Sequence, residues 1–97
     1  MGPEDHSSAL WRQLEDLADR AGIDVRSEPL DPAVFERRRG GLCKIAGRTT
    51  IVVDSNASIH EKIAVFLEAL ARVDLDAVYM LPSLRERLEA VRQAKLA

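Results

Sequence analysis

The chain is organised around residues 40–54, which read G-G-L-C-K-I-A-G-R-T-T-I-V-V-D. Two runs of β-forming residues, Leu42–Ala46 and Thr49–Val53, flank Gly47 and Arg48. The second run is rich in β-branched residues, which favour extended structure. Glycine adopts positive φ without strain, so Gly47 allows a tight turn. The stretch therefore predicts a β-hairpin.

The length of the turn determines which side chains share a face of the hairpin. A two-residue turn at positions 47–48 mixes polar and apolar side chains on both faces. A three-residue turn at positions 46–48 pairs Cys43 with Ile51 and collects the apolar side chains on one face, which a one-residue slip would expose to water. We therefore expect the three-residue turn. The predicted buried face comprises Cys43, Ile45, Ile51 and Val53, and the opposite face comprises Lys44, Thr50 and Val52.

The composition is that of a globular protein with one modest core. The chain has 97 residues, of which 46% are hydrophobic and 31% charged, as expected for a single domain. We expect residues 1–6 to be a disordered tail and residues 7–97 to form the domain. No apolar run approaches the roughly 20 residues of a membrane span, and the acidic N-terminus does not resemble a signal peptide. A single cysteine allows no intrachain disulfide, so a cytoplasmic location is expected.

Before the hairpin, the sequence predicts a helix and a short strand. The helix is expected to be capped by Ser7 or Ser8 and to run to about Ala21, with apolar residues at helical spacing. Gly22 suits the left-handed residue that ends a helix. The alternation in Ile23–Arg26 predicts a strand with one buried face.

After the hairpin, the sequence predicts two further helices. The pattern Ser58–Glu61 is a capping box and opens a helix that runs to about Val73. A short helical turn is expected at Leu75–Leu81, ended by Pro82. The pattern Ser83–Glu86 is a second capping box and opens the last helix.

Together these elements predict an α+β fold with the order α-β-β-β-α-α. Three helices are expected to pack on a small, mainly antiparallel three-stranded sheet that contains the central hairpin. In the loop before the hairpin, Asp31 and Pro32 are expected to open one helical turn and Phe35 to anchor it to the core. If the helices cover one face only, Leu42, Val52 and an open edge remain available for self-association.

Several of these features occur together in one known family. They are a strand opening Gly22-Ile23-Asp24-Val25, a hairpin ending Ile51-Val52-Val53-Asp54 and a capped helix after it. Over residues 8–73 this order resembles the core of ImmA/IrrE-type zinc peptidases, whose corresponding helix carries His-Glu-x-x-His for zinc binding and general-base catalysis. Here that stretch reads Leu67-Glu68-Ala69-Leu70-Ala71, so only Glu68 matches. The resemblance implies a truncated, metal-free relative without peptidase activity; the chain also resembles small bacterial proteins of similar length, which imply no function.

The reactive side chains do not combine into a predicted catalytic or metal site. Cys43 and His60 could form a thiolate–imidazole pair oriented by Asp54, but the predicted register buries Cys43. A metal site needs three or four clustered ligands, whereas the chain has one cysteine and two histidines. Glu68 is expected to be a solvent-side charge or the i,i+4 partner of Arg72. We therefore predict no enzyme activity, metal or cofactor.

A basic cluster is the strongest candidate binding site in the sequence. Residues 1–36 carry a net charge of −6, residues 37–48 carry +5 and the remainder carries −1. Such a cluster can hold a phosphate or an acidic protein surface. No aromatic residue is interleaved with it and the whole chain is slightly acidic, so nucleic acid is not the favoured ligand. The cluster comprises Arg37, Arg38, Arg39, Lys44 and Arg48.

The sequence favours a small non-catalytic cytoplasmic module that binds another protein, including a second copy of itself. The alternative is anion or nucleic-acid binding through the basic cluster. A degenerate metallopeptidase-like or cysteine enzyme ranks below both, and no membrane partner is expected. Tyr79, Met80 and Leu81 are expected to pack in the core, or else to form a corner that docks a partner.

Overall fold

The computed structural model describes residues 6–31, 33 and 39–96. Its elements are α1 (His6–Arg20), β1 (Asp24–Glu28), β2 (Gly40–Ile45), β3 (Arg48–Asp54), α2 (Ile59–Leu70) and α3 (Pro82–Leu96). Over these described residues, the elements follow the predicted order. The expectations for Phe35, Arg37 and Arg38, and for residues 1–5, fall outside the described residues.

The first helix ends where the sequence predicts. Gly22 has φ +74°, and its N–H donates to the carbonyl of Asp19 at 3.1 Å. The N–H of Ile23 donates to the carbonyl of Ala18 at 2.9 Å. These two bonds form a Schellman motif, which satisfies carbonyls that the helix end leaves open. The predicted cap at Ser7 or Ser8 is wrong, because both serines lie inside α1.

The sheet is mixed rather than mainly antiparallel. Its strand order is β1-β3-β2; β1 runs parallel to β3, and β2 runs antiparallel to it. The α+β class is confirmed, with three helices and three strands among the described residues, whereas the mainly antiparallel pairing is not.

The hairpin turn differs from both turns considered above. Ile45 pairs with Arg48, so the turn is the two residues Ala46 and Gly47. Their φ angles are +53° and +81°. Positive φ at both positions is the pattern of a type I′ turn, whose twist matches that of the flanking strands. The register is therefore one residue away from the predicted one, and Cys43 pairs with Thr50 rather than with Ile51.

This register changes the composition of the two sheet faces. Ile51 and Val53 are fully buried and belong to one core cluster with residues of all three helices. Because cross-strand partners share a face, Leu42 lies on this helix-covered face opposite Ile51. The expected burial of Cys43 and Ile45 on the same face is wrong: both lie on the other face, and Cys43 is exposed.

The second helix begins at the predicted capping box. The Ser58 Oγ accepts from the N–H of Glu61 at 3.1 Å, and Glu61 Oε1 accepts from the N–H of Ser58 at 3.0 Å. The helix ends at Leu70, three residues earlier than predicted, and residues 71–81 contain turns but no helix. No helix in the described part of the chain has the length and apolarity needed to cross a bilayer.

The third helix begins at a proline rather than at a serine cap. Pro82 is its first residue, a position that needs no N–H donor. The carbonyl of Leu81 accepts from the N–H groups of Leu84 and Arg85 at 3.0 and 3.1 Å. The predicted capping box at Ser83–Glu86 is therefore wrong. Of the three residues before Pro82, Met80 is buried, whereas Tyr79 and Leu81 are exposed, so the predicted core packing holds for Met80 alone.

The core lies between the sheet and the helices. Phe66 is fully buried there, and the partly buried Trp11 packs against it edge to face, with the ring centroids 5.2 Å apart, which joins α1 to α2. Edge-to-face contacts add to the free energy gained from burial alone. The buried cluster comprises Leu14, Leu17, Ala18, Ile23, Ile51, Val53, Ile63, Phe66, Ala69, Leu70, Leu75, Met80, Leu84 and Leu88.

Candidate functional site

The free edge of β2 presents backbone donors and acceptors in an order that the hairpin fixes. The N–H of Asp54 donates to the carbonyl of Arg39 at 2.8 Å, so these two residues form a hydrogen-bonded pair. Hydrogen-bonded and non-hydrogen-bonded pairs alternate along an antiparallel ladder. The residues that point their backbone groups toward β3 are therefore Gly41, Cys43 and Ile45. Those that point them outward are Gly40, Leu42 and Lys44.

No described strand pairs with this outward row. The sheet has three strands in the described ranges, and β2 is one of its two edges. An unpaired row of N–H and C=O groups is a template for another strand. Within the described residues, the outward edge of β2 is therefore open to another strand.

A groove of about 450 Å³ lies beside this edge, between β2 and α2. Small and aliphatic residues form much of it: Gly40, Gly41, Leu42, Ala64, Val65 and Ala69. Four charged residues also line it: Arg39, Glu61, Glu68 and Arg72. The groove therefore combines an apolar surface, a backbone edge and charges of both signs.

An ion cluster lies at one end of the groove. The Arg39 Nη1 donates to Asp54 Oδ2 at 2.7 Å, and Arg39 Nε lies 3.7 Å from Glu61 Oε2. The Asp54 side chain is 7% exposed, whereas that of Arg39 is 45% exposed. Two carboxylates share one guanidinium, so the cluster carries one surplus negative charge. It ties β2, β3 and the start of α2 together.

The hydrogen bonds of the ion cluster shift the pKa values of its members. The N–H of Asn56 donates to Asp54 at 3.0 Å and, followed by the Arg39 guanidinium, holds the pKa of Asp54 below its usual value. The N–H of Ser58, followed by the charge of Arg39, lowers the pKa of Glu61. The hydrogen bond to Asp54, followed by the charge of Glu61, raises the pKa of Arg39. Each shift favours the charged form, so the cluster is fully ionised at neutral pH.

We expect this cluster to contribute to acid sensitivity. A carboxyl group with a lowered pKa in the fold stabilises the protein above its unfolded pKa, and that contribution is lost as the pH falls through its folded pKa. Urea unfolding midpoints should therefore stay level from pH 7 to about 5 and fall below about pH 4. The Asp54→Asn variant should show a shallower fall. The Arg39→Gln variant should lose less of this pH dependence than Asp54→Asn, because the hydrogen bond from the Asn56 N–H to Asp54 remains. An identical fall of the urea midpoint with pH in the wild type and both variants would contradict this assignment.

The structure does not place the described members of the basic cluster in one patch. Arg39 lies beside Asp54 at one end of β3, and Arg48 begins β3 at the other end. These ends are six residue steps apart along the strand, which is about 20 Å. Arg48 forms two hydrogen bonds with Asp24, at 2.8 and 3.0 Å, so a bound anion would compete with a carboxylate at either arginine.

The exposed thiol and the imidazole are not brought together. Cys43 projects from the face opposite the helices, whereas His60 lies on α2, so the sheet separates them. The His60 Nδ1 lies 3.4 Å from Ser7 Oγ, and Asp54 bonds Arg39 instead of the imidazole. Among the described residues, no group of three or more His, Cys, Asp or Glu side chains could hold a metal ion.

Comparisons with known proteins were made at the level of sequence families, curated proteins and solved structures. None of the three found a match. The resemblance to the zinc peptidases stays a prediction. Glu68, the one residue that matches the motif of that family, is exposed and lines the groove.

Sequence reasoning missed the two residues that organise this site. The sequence suggests Asp54 as a partner for His60 and Glu61 as part of a capping box, and it assigns neither residue to a binding site. The sequence predicts an open sheet edge. Because the predicted hairpin register is wrong by one residue, it does not show which residues of β2 point their backbone groups outward. The Gly40-Gly41 pair was the available signal, because glycines in a strand often mark a close backbone approach.

Proposed function

We propose that this protein is a non-catalytic interaction module that binds an extended segment of a partner protein along the open edge of β2. The observation that carries the proposal is the outward row of backbone groups of Gly40, Leu42 and Lys44 beside the groove. Addition of a strand to a sheet edge is a recurrent mode of peptide recognition, in which main-chain hydrogen bonds supply affinity.

The position of the groove supports strand addition, because side chains of an added strand would point into it. Side chains of cross-strand partners share a face, and Leu42 faces α2. Every second side chain of the incoming segment would therefore enter the groove. Ala64 and Ala69 leave space for them there, and Leu42 and Val65 offer apolar contact. The groove can thus select the side chains of the segment, while the outward edge of β2 binds its main chain.

The ion cluster at the end of the groove is suited to holding the structure together rather than to proton transfer. A general acid or base works best with a pKa near the operating pH. The pKa values of Asp54 and Glu61 are shifted the other way, below their usual values, by hydrogen bonds and by Arg39. Both carboxylates are engaged in holding the fold together at this end of the groove.

A proline scan tests the edge directly. Lys44→Pro deletes an outward-facing N–H and leaves the bonds to β3 intact, which is the condition under which edge strands accept proline. The matched control is Ser27→Pro on β1. The carbonyl of Glu28 accepts from the N–H of Ser55 at 3.0 Å, which directs Glu28 toward β3 and Ser27 outward at the opposite edge.

The probe is a displayed library of short unstructured peptides, selected on the wild-type protein. Selected peptides should shift the amide resonances of Leu42 and Lys44 more than those of Gly41 and Cys43. Lys44→Pro should weaken their binding by at least about tenfold, the equivalent of one lost hydrogen bond, while Ser27→Pro should not. Peptides that bind equally to both variants, or a library that yields none, would contradict the proposal.

A further inference from the structure

We infer that the segment bound by the β2 edge is the β2 strand of a second copy of this chain. The two strands run antiparallel about a two-fold axis at Leu42 and join the two sheets into one of six strands. This inference rests on the proposed function and adds to it the identity of the partner and the register of pairing.

The outward row of β2 is self-complementary in this register. A two-fold axis at Leu42 places Leu42 opposite its own copy and Gly40 opposite Lys44. Each outward residue then meets another outward residue, and each such pair exchanges two N–H···O bonds. The arrangement is isologous, as most homodimers are. The Leu42 side chain of the second copy enters the groove beside Leu42 and Val65.

Charge selects the antiparallel orientation. Lys44 is exposed, and no ion pair is formed by it within the described part of the chain. The antiparallel register brings Lys44 of the second copy to the Gly40 end of the groove. The cluster of Arg39, Asp54 and Glu61 carries its surplus negative charge there, and Gly40 has no side chain to obstruct the lysine. A parallel pairing would instead put each Lys44 beside its own copy.

The register predicts a specific crosslink. Gly41 of one copy lies opposite Cys43 of the other, in a pair that makes no hydrogen bonds across the new interface. The Cα atoms of such pairs are about 4.5 Å apart, within the range of a disulfide. Cys43 is exposed, and a Cβ atom added at Gly41 meets nothing within 4 Å. A thiol introduced at position 41 should therefore join two copies through their native cysteines.

The first experiment measures the oligomeric state of the full chain by sedimentation velocity over a range of concentrations. Wild type and Ser27→Pro should dimerise, and Lys44→Pro should stay monomeric. Lys44→Ala should raise the dimer dissociation constant several-fold, and Lys44→Glu by about tenfold or more. A lysine on an edge strand can instead keep monomers apart; tighter association of Lys44→Ala would therefore overturn the inference.

The second experiment tests the register by oxidation of Gly41→Cys under non-denaturing conditions. The expected product is a covalent dimer, which should form far more slowly in wild type and in Gly41→Cys combined with Cys43→Ser. Equal crosslinking of all three would overturn the register. A wild-type protein that stays monomeric overturns the self-pairing, whereas the peptide titration still decides separately whether the edge binds a strand.

Discussion

Replacing Gly40 with alanine is expected to destabilise the protein more than any other change of one methyl group. Gly40 has φ +138°, and a Cβ atom there would overlap the carbonyl oxygen of Val52 and lie 2.9 Å from the Cα of Val53. The neighbouring atoms belong to the backbone of the central strand, which cannot move aside as a flexible side chain could. Backbone strain and overpacking each cost about 1–3 kcal/mol.

We therefore expect Gly40→Ala to lower the free energy of unfolding by about 3 kcal/mol or more, measured by urea denaturation. The matched control is Gly41→Ala, because the next residue has open space where its Cβ would lie. That variant should be neutral or slightly more stable, since alanine restricts the unfolded chain. Equal stabilities of the two variants would show that β2 does not approach β3 at Gly40 as described.

Replacing Phe66 with alanine is expected to have a comparable effect for a different reason. The ring is fully buried and packs against Trp11, so its removal leaves a cavity between α1 and α2. Substitutions of this kind cost about 3–5 kcal/mol, a large part of the 5–15 kcal/mol that stabilises a typical domain.

The conservative variant Phe66→Leu separates apolar burial from the ring contact. Leucine keeps most of the buried apolar area but loses the edge-to-face geometry, so a smaller loss is expected. The urea m-value should stay unchanged in both variants, because the native fold is retained. A loss below about 1 kcal/mol for Phe66→Ala would contradict its place at the centre of the core.

Some features of the fold that depend on local sequence could be predicted, although the caps expected at Ser7 or Ser8 and at Ser83 did not form. Ser58 and Glu61 are three residues apart and complete a capping box with no help from the rest of the chain. Gly22 ends α1 because its positive φ suits the Schellman motif. The apolar residues of α1 recur at helical spacing, which predicts one buried face, and Leu14, Leu17 and Ala18 of that helix are buried.

Features that depend on contacts between distant segments could not be predicted. The alternation in Ile23–Arg26 indicates a strand but carries no information about the direction of its partner, so the parallel pairing of β1 was missed. The prediction of the hairpin turn was wrong for a related reason. Ala46 adopts positive φ, which is uncommon for a residue other than glycine. The expected register was instead chosen because it collects the apolar side chains of the hairpin on one face.

The candidate site depended on that same register. The basic residues are close in sequence, but the hairpin sends Arg39 and Arg48 to opposite ends of β3, where each meets a carboxylate. Asp54 is 15 residues from Arg39 in the chain, so their pairing follows only once the strands are aligned. The open edge itself was expected from the small number of strands, since a three-stranded sheet always has two edges.

Amide hydrogen exchange along β2 tests the assigned edge most directly. It should be measured by NMR in dilute solution, where any self-pairing is dissociated. The N–H groups of Gly41 and Cys43 should be protected by their bonds to β3, while those of Leu42 and Lys44 should exchange much faster. Protection of Leu42 and Lys44 with fast exchange at Cys43 would mean that the register is shifted by one residue, and both proposals for this edge would then be contradicted.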